Sequence, residues 1–226
     1  IREHLDKELR LNAQQIKVLT LFFIDKVDLY RQFTEEGLRE PGEYARIFEE
    51  EYLKAIKSPA SKDLLHSHPE HAKDVHDGYF SIDKKGAWAE TTESNNAGRE
   101  NAERGYNLIM KNKEKLLSFS NPVRFIFSHS ALKEGWDNPN VFQICSLREM
   151  GSERERRQTL GRGLRLCVNQ EGERVRDDSI NILTVVASEN YEAYAERLQS
   201  EIENETGIRF GIIEKDAFAH LIFSDS

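Results

Sequence analysis

The stretch Lys17-Val18-Leu19-Thr20-Leu21-Phe22-Phe23-Ile24 is a nearly continuous apolar run, rich in residues that favour β-structure. Such a run is typical of a strand buried on both faces, as in a parallel sheet, because a strand with one wet face alternates apolar and polar residues. Three further runs share this character, at 123–127, 141–145 and 180–187. Segments with helical spacing alternate with them, at 43–56, 103–117 and 191–206. This alternation predicts an α/β fold, a mostly parallel sheet flanked by helices.

The segment 43–56 carries its large apolar residues mostly three or four positions apart. That spacing places them along one side of a helix, which we expect to pack on the sheet. The expected core stripe consists of Tyr44, Ile47, Phe48, Tyr52 and Ile56.

The segment 58–98 breaks the alternation, since it is polar and punctuated by proline and glycine. We expect an inserted loop or short hairpin, with residues 78–82 as one strand. A group of four histidines with two nearby aspartates lies here, namely His66, His68, His71, His76, Asp74 and Asp77. Histidine clusters can bind transition metals, but this spacing matches no closed zinc site and no cysteine is near. We therefore predict no metal site.

Composition narrows the class of protein. The chain has 226 residues, is 38% hydrophobic and carries a formal net charge of −8, so it can build a core. We expect one domain over 1–226, with the insertion at 58–98. No apolar stretch approaches the length of a membrane span. The chain starts with Ile1-Arg2-Glu3-His4, without an initiator Met or a signal peptide, so we expect a fragment of a longer polypeptide. Two cysteines, Cys145 and Cys167, lie in apolar segments and predict buried free thiols in a reducing compartment.

Charge is distributed unevenly along the chain. Residues 124–176 carry 10 basic and 7 acidic side chains, whereas residues 177–226 carry 3 and 11. Binding to nucleic acid needs clustered Lys and Arg to neutralise phosphates. Only the middle block could offer an anion-binding surface, and we expect weak binding to DNA by the isolated chain.

Two segments carry the chemistry. In the first, 127–139, an apolar strand runs into Ser128-His129-Ser130 and then Gly135-Trp136-Asp137-Asn138-Pro139. Ligands of open α/β sheets bind beyond strand ends. Gly135 allows close backbone approach, Asp137 could accept from a ribose hydroxyl or pair with an arginine, and Ser130 could hold a strand phosphate. The alternative is an ordinary strand–helix–strand corner.

The second segment is 155–165, Glu-Arg-Arg-Gln-Thr-Leu-Gly-Arg-Gly-Leu-Arg. On a helix, Gln158, Arg162 and Arg165 would share one face, and two guanidiniums with an amide suit a polyphosphate. The alternative is a solvated basic face paired with Glu153 and Glu155. Two glycines, Gly161 and Gly163, argue against it, because each costs a helix about 1 kcal/mol and therefore indicates close packing or close ligand approach.

These motifs resemble motifs V and VI of superfamily-two helicases. Longer strings resemble the Res subunit of type III restriction–modification enzymes: FFIDKVDLYR (22–31), VHDGYFSIDKKG (75–86), PVRFIFSHSALKEGWDNPNVFQICSL (122–147), RRQTLGRGLRLCVNQEGERV (156–175) and LTVVASENYEAYAERLQSEIENETG (183–207). The resemblance runs from about residue 12 to 220. It implies that this chain is the second, C-terminal RecA-like motor lobe of such a subunit.

The resemblance also implies roles for single residues. Arg162 and Arg165 would be arginine fingers acting across the lobe interface, with Gln158 supporting them. The nucleotide would be approached by Gly135, Asp137 and Gly161. Contacts to the DNA backbone would come from Lys26 at motif IV and from His129 or Ser130 at motif V.

The resemblance implies ATP and Mg²⁺ as cofactors of the intact two-lobe protein, with none bound to this chain alone, since the sequence contains no Gly-x-x-x-x-Gly-Lys-[Ser/Thr] phosphate loop. The implied partners are duplex DNA, a methyltransferase (Mod) subunit and the first RecA-like lobe, in the cytoplasm and without a membrane. Two alternatives stay open at this point: a lobe of a stand-alone superfamily-two DNA repair helicase, and a non-catalytic helicase-like interaction module.

Overall fold

The computed structural model describes residues 1–34, 39–64, 68, 71–80, 113–129, 138–148, 161, 163, 165–186, 196, 200 and 204. The chain divides into two compact units, Ile1–Ser188 and Glu189–Ser226. In the second unit, Glu196, Ser200 and Asn204 are helical, and the Ser200 hydroxyl donates to the Glu196 carbonyl at 2.9 Å. These positions agree with the helix predicted at 191–206. None of the helices in the described ranges is long and apolar enough to cross a bilayer.

The first unit is built on a five-stranded sheet in the order β4-β5-β1-β6-β7, and every pairing in it is parallel. Its strands are β1 (Leu19–Phe23), β4 (His76–Tyr79), β5 (Phe125–Ser128), β6 (Val141–Ser146) and β7 (Thr184–Val186). A short antiparallel ribbon, β2 (Arg31–Phe33) with β3 (Arg39–Pro41), follows β1. The helices are α1 (Arg2–Asn12), α2 (Glu43–Ile56) and α3 (Lys113–Leu117), with 3-10 turns at Val27–Leu29, Pro59–Leu64 and Ala72–Asp74. The predicted α/β class with a parallel sheet is confirmed.

Both faces of the central strands are buried. Phe22, Phe125 and Phe127 pack with Phe48 and Tyr52 of α2, and the rings of Phe22 and Phe127 stack with centroids 4.7 Å apart. The alternate residues point to the opposite face and are also buried, as Leu19, Leu21, Phe23, Ile126 and Ile144 show. The central strands are continuously apolar in sequence because both of their faces are covered, as predicted.

The bounds predicted for α2 are those observed, but its core stripe differs from the prediction. Ile47 is 51% exposed, whereas Ala45 and Ala55 are buried together with Phe48. Positions 45, 48, 52, 55 and 56 follow the three- and four-residue steps of one helix face, and Ile47 lies about 100° away from Phe48. Ala45 and Ala55 are absent from the predicted stripe because alanine is only weakly apolar.

The start of α2 depends on Gly42. Its amide donates to the Tyr30 carbonyl at 2.8 Å. A Cβ atom at this position would lie 2.5 Å from the backbone oxygens of Asp28 and Leu29. Because backbone atoms cannot swing aside as side-chain ends can, only glycine fits where the helix start crosses the turn after β1.

The strand expected at 78–82 begins earlier, at His76, and forms the edge of the main sheet. It pairs in parallel with β5, so this part of the segment 58–98 contributes to the sheet and is not a hairpin. The first residue of β4, His76, is buried, and both of its ring nitrogens have partners. Nδ1 lies 2.8 Å from the Tyr30 hydroxyl, and Nε2 lies 3.2 Å from Glu49 Oε1. Strand β7 is also shorter than the run predicted at 180–187.

Helix α1 was not predicted, because its buried face is largely polar. Glu8 is the centre of this face: Oε1 accepts from Arg124 Nε at 2.8 Å, and Oε2 lies 3.1 Å from His68 Nε2 and 3.4 Å from His4 Nε2. The other ring nitrogen of His4 lies 2.8 Å from the Thr20 hydroxyl in β1. The pKa of Glu8 is held well below its usual range by His4, His68 and Arg124, although burial opposes this. A buried carboxylate with these partners stays ionised.

Lys17 connects the chain just before β1 to the end of α3 and to the segment between α3 and β5. Its ammonium group is wholly buried and donates to three backbone carbonyls, those of Leu116 at 2.8 Å, Ser118 at 3.0 Å and Asn121 at 2.7 Å. Burial lowers the pKa of Lys17 to about 7. The carbonyl acceptors favour the charged form and counteract that lowering.

Candidate functional site

The carboxyl ends of the parallel strands meet at one edge of the sheet, which we name the carboxyl edge. Phe23 is level with Ser128 of β5 and with Ser146 of β6. The ladder continues one residue further, since the Ile24 amide donates to the Ser128 carbonyl at 2.9 Å and the Leu147 amide to the Phe23 carbonyl at 2.8 Å. Residues that follow these three strands are therefore neighbours, and this is where open α/β sheets bind their ligands.

Lys26 lies at this edge, exposed, in the turn that follows β1. Asp25 shapes the turn: its Oδ1 accepts from the Lys26 amide at 3.1 Å and from the Tyr44 hydroxyl at 3.3 Å. Burial and the Asp25 carboxylate together raise the pKa of Tyr44. The backbone around Lys26 is thus tied to both β1 and α2, while its ammonium group is in solvent.

His129 follows β5 directly and is half-exposed. Because β5 and β1 are hydrogen-bonded neighbours, the structure brings His129 and Lys26 to adjacent strand ends. The other predicted residues of this segment, Ser130, Gly135 and Asp137, lie outside the described residues.

The arginine-rich segment is described at Gly161, Gly163 and at Arg165 onwards. The two glycines lie in a turn and Arg165 at a bend, exposed, so the helical spacing used to group the arginines does not hold at Arg165. A Cβ atom on Gly163 would lie 2.4 Å from Leu183 Cδ1, so close packing accounts for this glycine. Gln158 and Arg162 lie outside the described residues, and their roles stay predictions.

Asn140, just before β6, anchors the chain that follows Arg165. Its side-chain amide donates to the Val168 carbonyl at 2.9 Å and to the Lys17 carbonyl at 3.0 Å, and its oxygen accepts from the Val168 amide at 2.8 Å. Cys167, beside this anchor, is buried and free, as is Cys145, and burial raises the pKa of both thiols. The bonds of Asn140 hold Val168, and with it the chain just after Arg165, beside the start of β6.

The histidines of 58–98 are separated by the fold. His68 shares its ring nitrogens between the Tyr52 hydroxyl and Glu8, and His76 shares its own between Tyr30 and Glu49. Within the described ranges no three His, Cys, Asp or Glu side chains come together as a metal site. His68 and His76, close in sequence, thus belong to two separate buried hydrogen-bond networks. His66 lies outside the described residues.

One residue at the carboxyl edge, Arg148, was not singled out from sequence. It follows β6, is half-buried, and its carbonyl accepts from the Ser146 hydroxyl at 2.7 Å. The signal that could have found it is simple: a basic residue two positions after a buried strand of a parallel sheet.

A parallel five-stranded sheet flanked by helices, with basic residues at its carboxyl edge, is consistent with an α/β lobe of the RecA-like class. The chain resembles the Res subunits of type III restriction–modification enzymes. It is 40% identical over 195 residues to the EcoPI Res subunit of Escherichia phage P1 and 41% identical over 191 residues to the EcoP15I Res subunit of Escherichia coli, in each case over 80% of this chain. It is 36% identical over 220 residues, 88% of this chain, to the StyLTI Res subunit of Salmonella typhimurium.

The chain spans about a fifth of the length of these curated relatives, 18% of the first two and 21% of the third. No protein-family model matches it.

Proposed function

We propose that this chain is the second motor lobe of the ATP-dependent DNA translocase part of a type III restriction endonuclease, and that it is one domain of a longer polypeptide. The observation that carries the proposal is the identity of 36–41% to three Res subunits over 80–88% of the chain. The parallel sheet with Lys26 and His129 at one edge supports it, because a motor lobe needs its ligand contacts on a single rigid edge.

In this proposal the lobe supplies half of an ATP site. Arg165 is exposed, and a guanidinium is a planar fork of donors that suits phosphate oxygens, which supports this part of the proposal. Arg162 and Arg165 would reach the γ-phosphate side, Gln158 would support them, and Gly135, Asp137 and Gly161 would line the nucleotide. Bound ATP supplies the phosphoryl group, and Mg²⁺ belongs to this proposal as a cofactor of the intact two-lobe protein.

The contribution of the arginines would be electrostatic. Fixed positive charge beside the transferred phosphoryl stabilises charge that grows in the transition state more than charge already present in bound ATP. Arginine fingers in comparable enzymes contribute roughly 10³–10⁵ in rate. The lobe would contact the DNA backbone through Lys26, His129 and Ser130, and the Mod subunit would be its protein partner.

The test is the Arg165→Ala variant of the intact protein, assayed for DNA-stimulated ATPase activity. We expect kcat to fall by at least about 10³ with a much smaller change in KM for ATP. Arg174→Ala is the matched control, since Arg174 is also exposed and lies in the bridge with Val168, whose backbone bonds to Asn140 at the amino end of β6, away from the carboxyl edge. A nearly normal kcat with Arg162 and Arg165 both replaced would refute the proposal and favour a non-catalytic module.

A further inference from the structure

Asn140 is a wholly buried asparagine whose main-chain and side-chain polar groups all have partners. Its main-chain amide donates to Asn138 Oδ1 at 3.1 Å, and its carbonyl accepts from the Leu19 amide at 2.9 Å. Its side chain forms the three hydrogen bonds to Val168 and Lys17 described above. An asparagine side chain offers a donor and an acceptor, as a peptide group does, so Asn140 binds the Val168 backbone as a neighbouring strand would.

The backbone that Asn140 holds has a partner at each of its polar groups. The amide and the carbonyl of Val168 are both bonded to Asn140. The Cys167 amide donates to Asn181 Oδ1 at 2.9 Å, and the Cys167 carbonyl accepts from the Val175 amide at 2.9 Å. Asn181 and Val175 belong to the segment that follows, whereas the bonds of Asn140 join this backbone to the starts of β1 and β6.

Arg165 lies three residues before Val168. Three residues of extended chain span at most about 11 Å, so the Arg165 backbone stays close to the point that Asn140 holds. In the sequence, Asn140 also follows Asp137 by three positions. The hydrogen bonds between Asn140 and Val168 therefore join the two segments to which the proposed function assigns contacts with the nucleotide.

We propose that Asn140 is a positioning residue of the ATPase, which holds the Arg165 backbone where the transition state of phosphoryl transfer needs it. The inference rests on the proposed function. A fixed charge stabilises a transition state when it is already in place, and a displacement of about 1 Å can cost roughly 10² in rate. Because Asn140 is buried, it acts through the main chain of 165–168. Its loss therefore weakens binding of the transition state and spares binding of the product ADP.

The experiment measures the affinity of the intact protein, with duplex DNA and Mg²⁺ present, for two ligands. ADP with aluminium fluoride, here called the fluoride complex, imitates the phosphoryl group in transfer, whereas ADP alone lacks it. Asn140→Ala is expected to weaken binding of the fluoride complex roughly 10²-fold and to leave the affinity for ADP nearly unchanged.

Asn121→Ala is the matched control for this measurement. Asn121 precedes β5 as Asn140 precedes β6, and its side-chain oxygen accepts from the nearby Val123 amide at 2.9 Å. The variant therefore removes an asparagine side chain from the same edge of the sheet. It is expected to leave both affinities unchanged.

A double-mutant cycle with Arg165→Ala separates positioning from a general loss of structure. If Asn140 acts through Arg165, Asn140→Ala weakens binding of the fluoride complex no further in the Arg165→Ala protein. Asn140→Ser keeps a hydroxyl that can replace one of the lost hydrogen bonds, so it is expected to lose less affinity. It takes the place of Asn140→Ala in the cycle if circular dichroism shows that the alanine variant does not fold.

Three results would overturn the inference. The first is an equal weakening of ADP and the fluoride complex in Asn140→Ala, and the second is the same loss in both backgrounds of the cycle, since each assigns the effect to packing. The third is an unchanged affinity for the fluoride complex in Asn140→Ala when Arg165→Ala weakens it, which leaves the proposed function standing. Failure of the proposed function reads out separately, as wild-type protein without DNA-stimulated ATPase activity.

Discussion

Replacing Glu8 by leucine is expected to be among the most costly single changes in the chain. The side chains of Glu8 and Arg124 are 3% and 2% exposed, and their charged groups meet at 2.8 Å. Removing the carboxylate takes the acceptor of the Nε hydrogen bond from the buried Arg124 guanidinium and takes an acceptor from His68. Breaking one side of such a pair costs about 3–5 kcal/mol, a large part of the stability of a domain. Arg124→Met should cost a similar amount, because it leaves the carboxylate buried.

The double variant Glu8→Leu/Arg124→Met tests whether each single variant is costly because it leaves the partner's charge buried. A buried ion pair replaced as a whole by apolar groups often changes stability little, because the desolvation cost disappears with the attraction. We therefore expect the double variant to be more stable than either single variant, with a coupling energy of at least about 2 kcal/mol. Urea unfolding followed by circular dichroism, compared through the midpoint at constant m, measures each corner of the cycle.

The pair formed by Glu51 and Lys54 is the matched control. Its charged atoms are 2.7 Å apart, but the side chains are 52% and 68% exposed. Glu51→Gln is expected to cause no measurable change, since solvent screens the pair. The reasoning fails if Glu8→Leu costs less than about 1 kcal/mol or if the two single effects add without coupling.

Three further predictions concern stability. Burial lowers the pKa of His4 to about 4, so between pH 6.5 and 5 the unfolded chain binds a proton that the folded chain does not bind. The free energy of unfolding should therefore decrease as the pH is lowered, by up to about 1.4 kcal/mol per pH unit. In His4→Asn the urea midpoint should change less over that pH range. Burial lowers the pKa of Lys17 to about 7, so stability should rise between pH 7 and 10, because only the unfolded chain stays protonated there. Lys17→Met should remove this rise, and at pH 7 it should cost about 2–4 kcal/mol by leaving three carbonyls without a donor; urea midpoints at pH 7 and 9 measure both effects. Gly42→Ala should lower the melting temperature well beyond Gly172→Ala, because a Cβ atom at Gly172 would meet nothing within 4 Å, although the φ of Gly172 is +82°. Equal losses would argue against the backbone clash at Gly42.

Where sequence and structure agree, the cause is continuous apolar patterning. Strands β1, β5 and β6 are buried on both faces, so their sequences contain little else but apolar residues, and α2 shows the spacing of a helix packed on one side. The parallel arrangement followed from alternation of such elements. These features depend only on which residues are removed from water.

Helix α1 and the start of β4, which the sequence did not predict, are buried with polar partners far along the chain. Helix α1 buries Glu8 because Arg124 neutralises it, and β4 begins with a histidine because Tyr30 and Glu49 satisfy its ring. Such pairings depend on the tertiary fold, and no local pattern reveals them. At the candidate site, sequence analysis placed His129 just after an apolar strand, but only the structure shows that this strand, β5, lies beside β1 and so beside Lys26. The grouping of Arg162 with Arg165 supposed a helix, whereas Arg165 lies at a bend.

Helix α1 also has a mechanical consequence. It is joined to one side of the central strand through Glu8 and Arg124, next to β5, and to the other side through Lys7, which donates to the Ile182 carbonyl at 2.8 Å and to the Thr184 hydroxyl of β7 at 3.2 Å. A pull on the first residues of the chain therefore enters the sheet at two points on opposite sides of β1. The load is carried as shear across several strands, and tension at the amino end moves the sheet as one body before it peels any strand away.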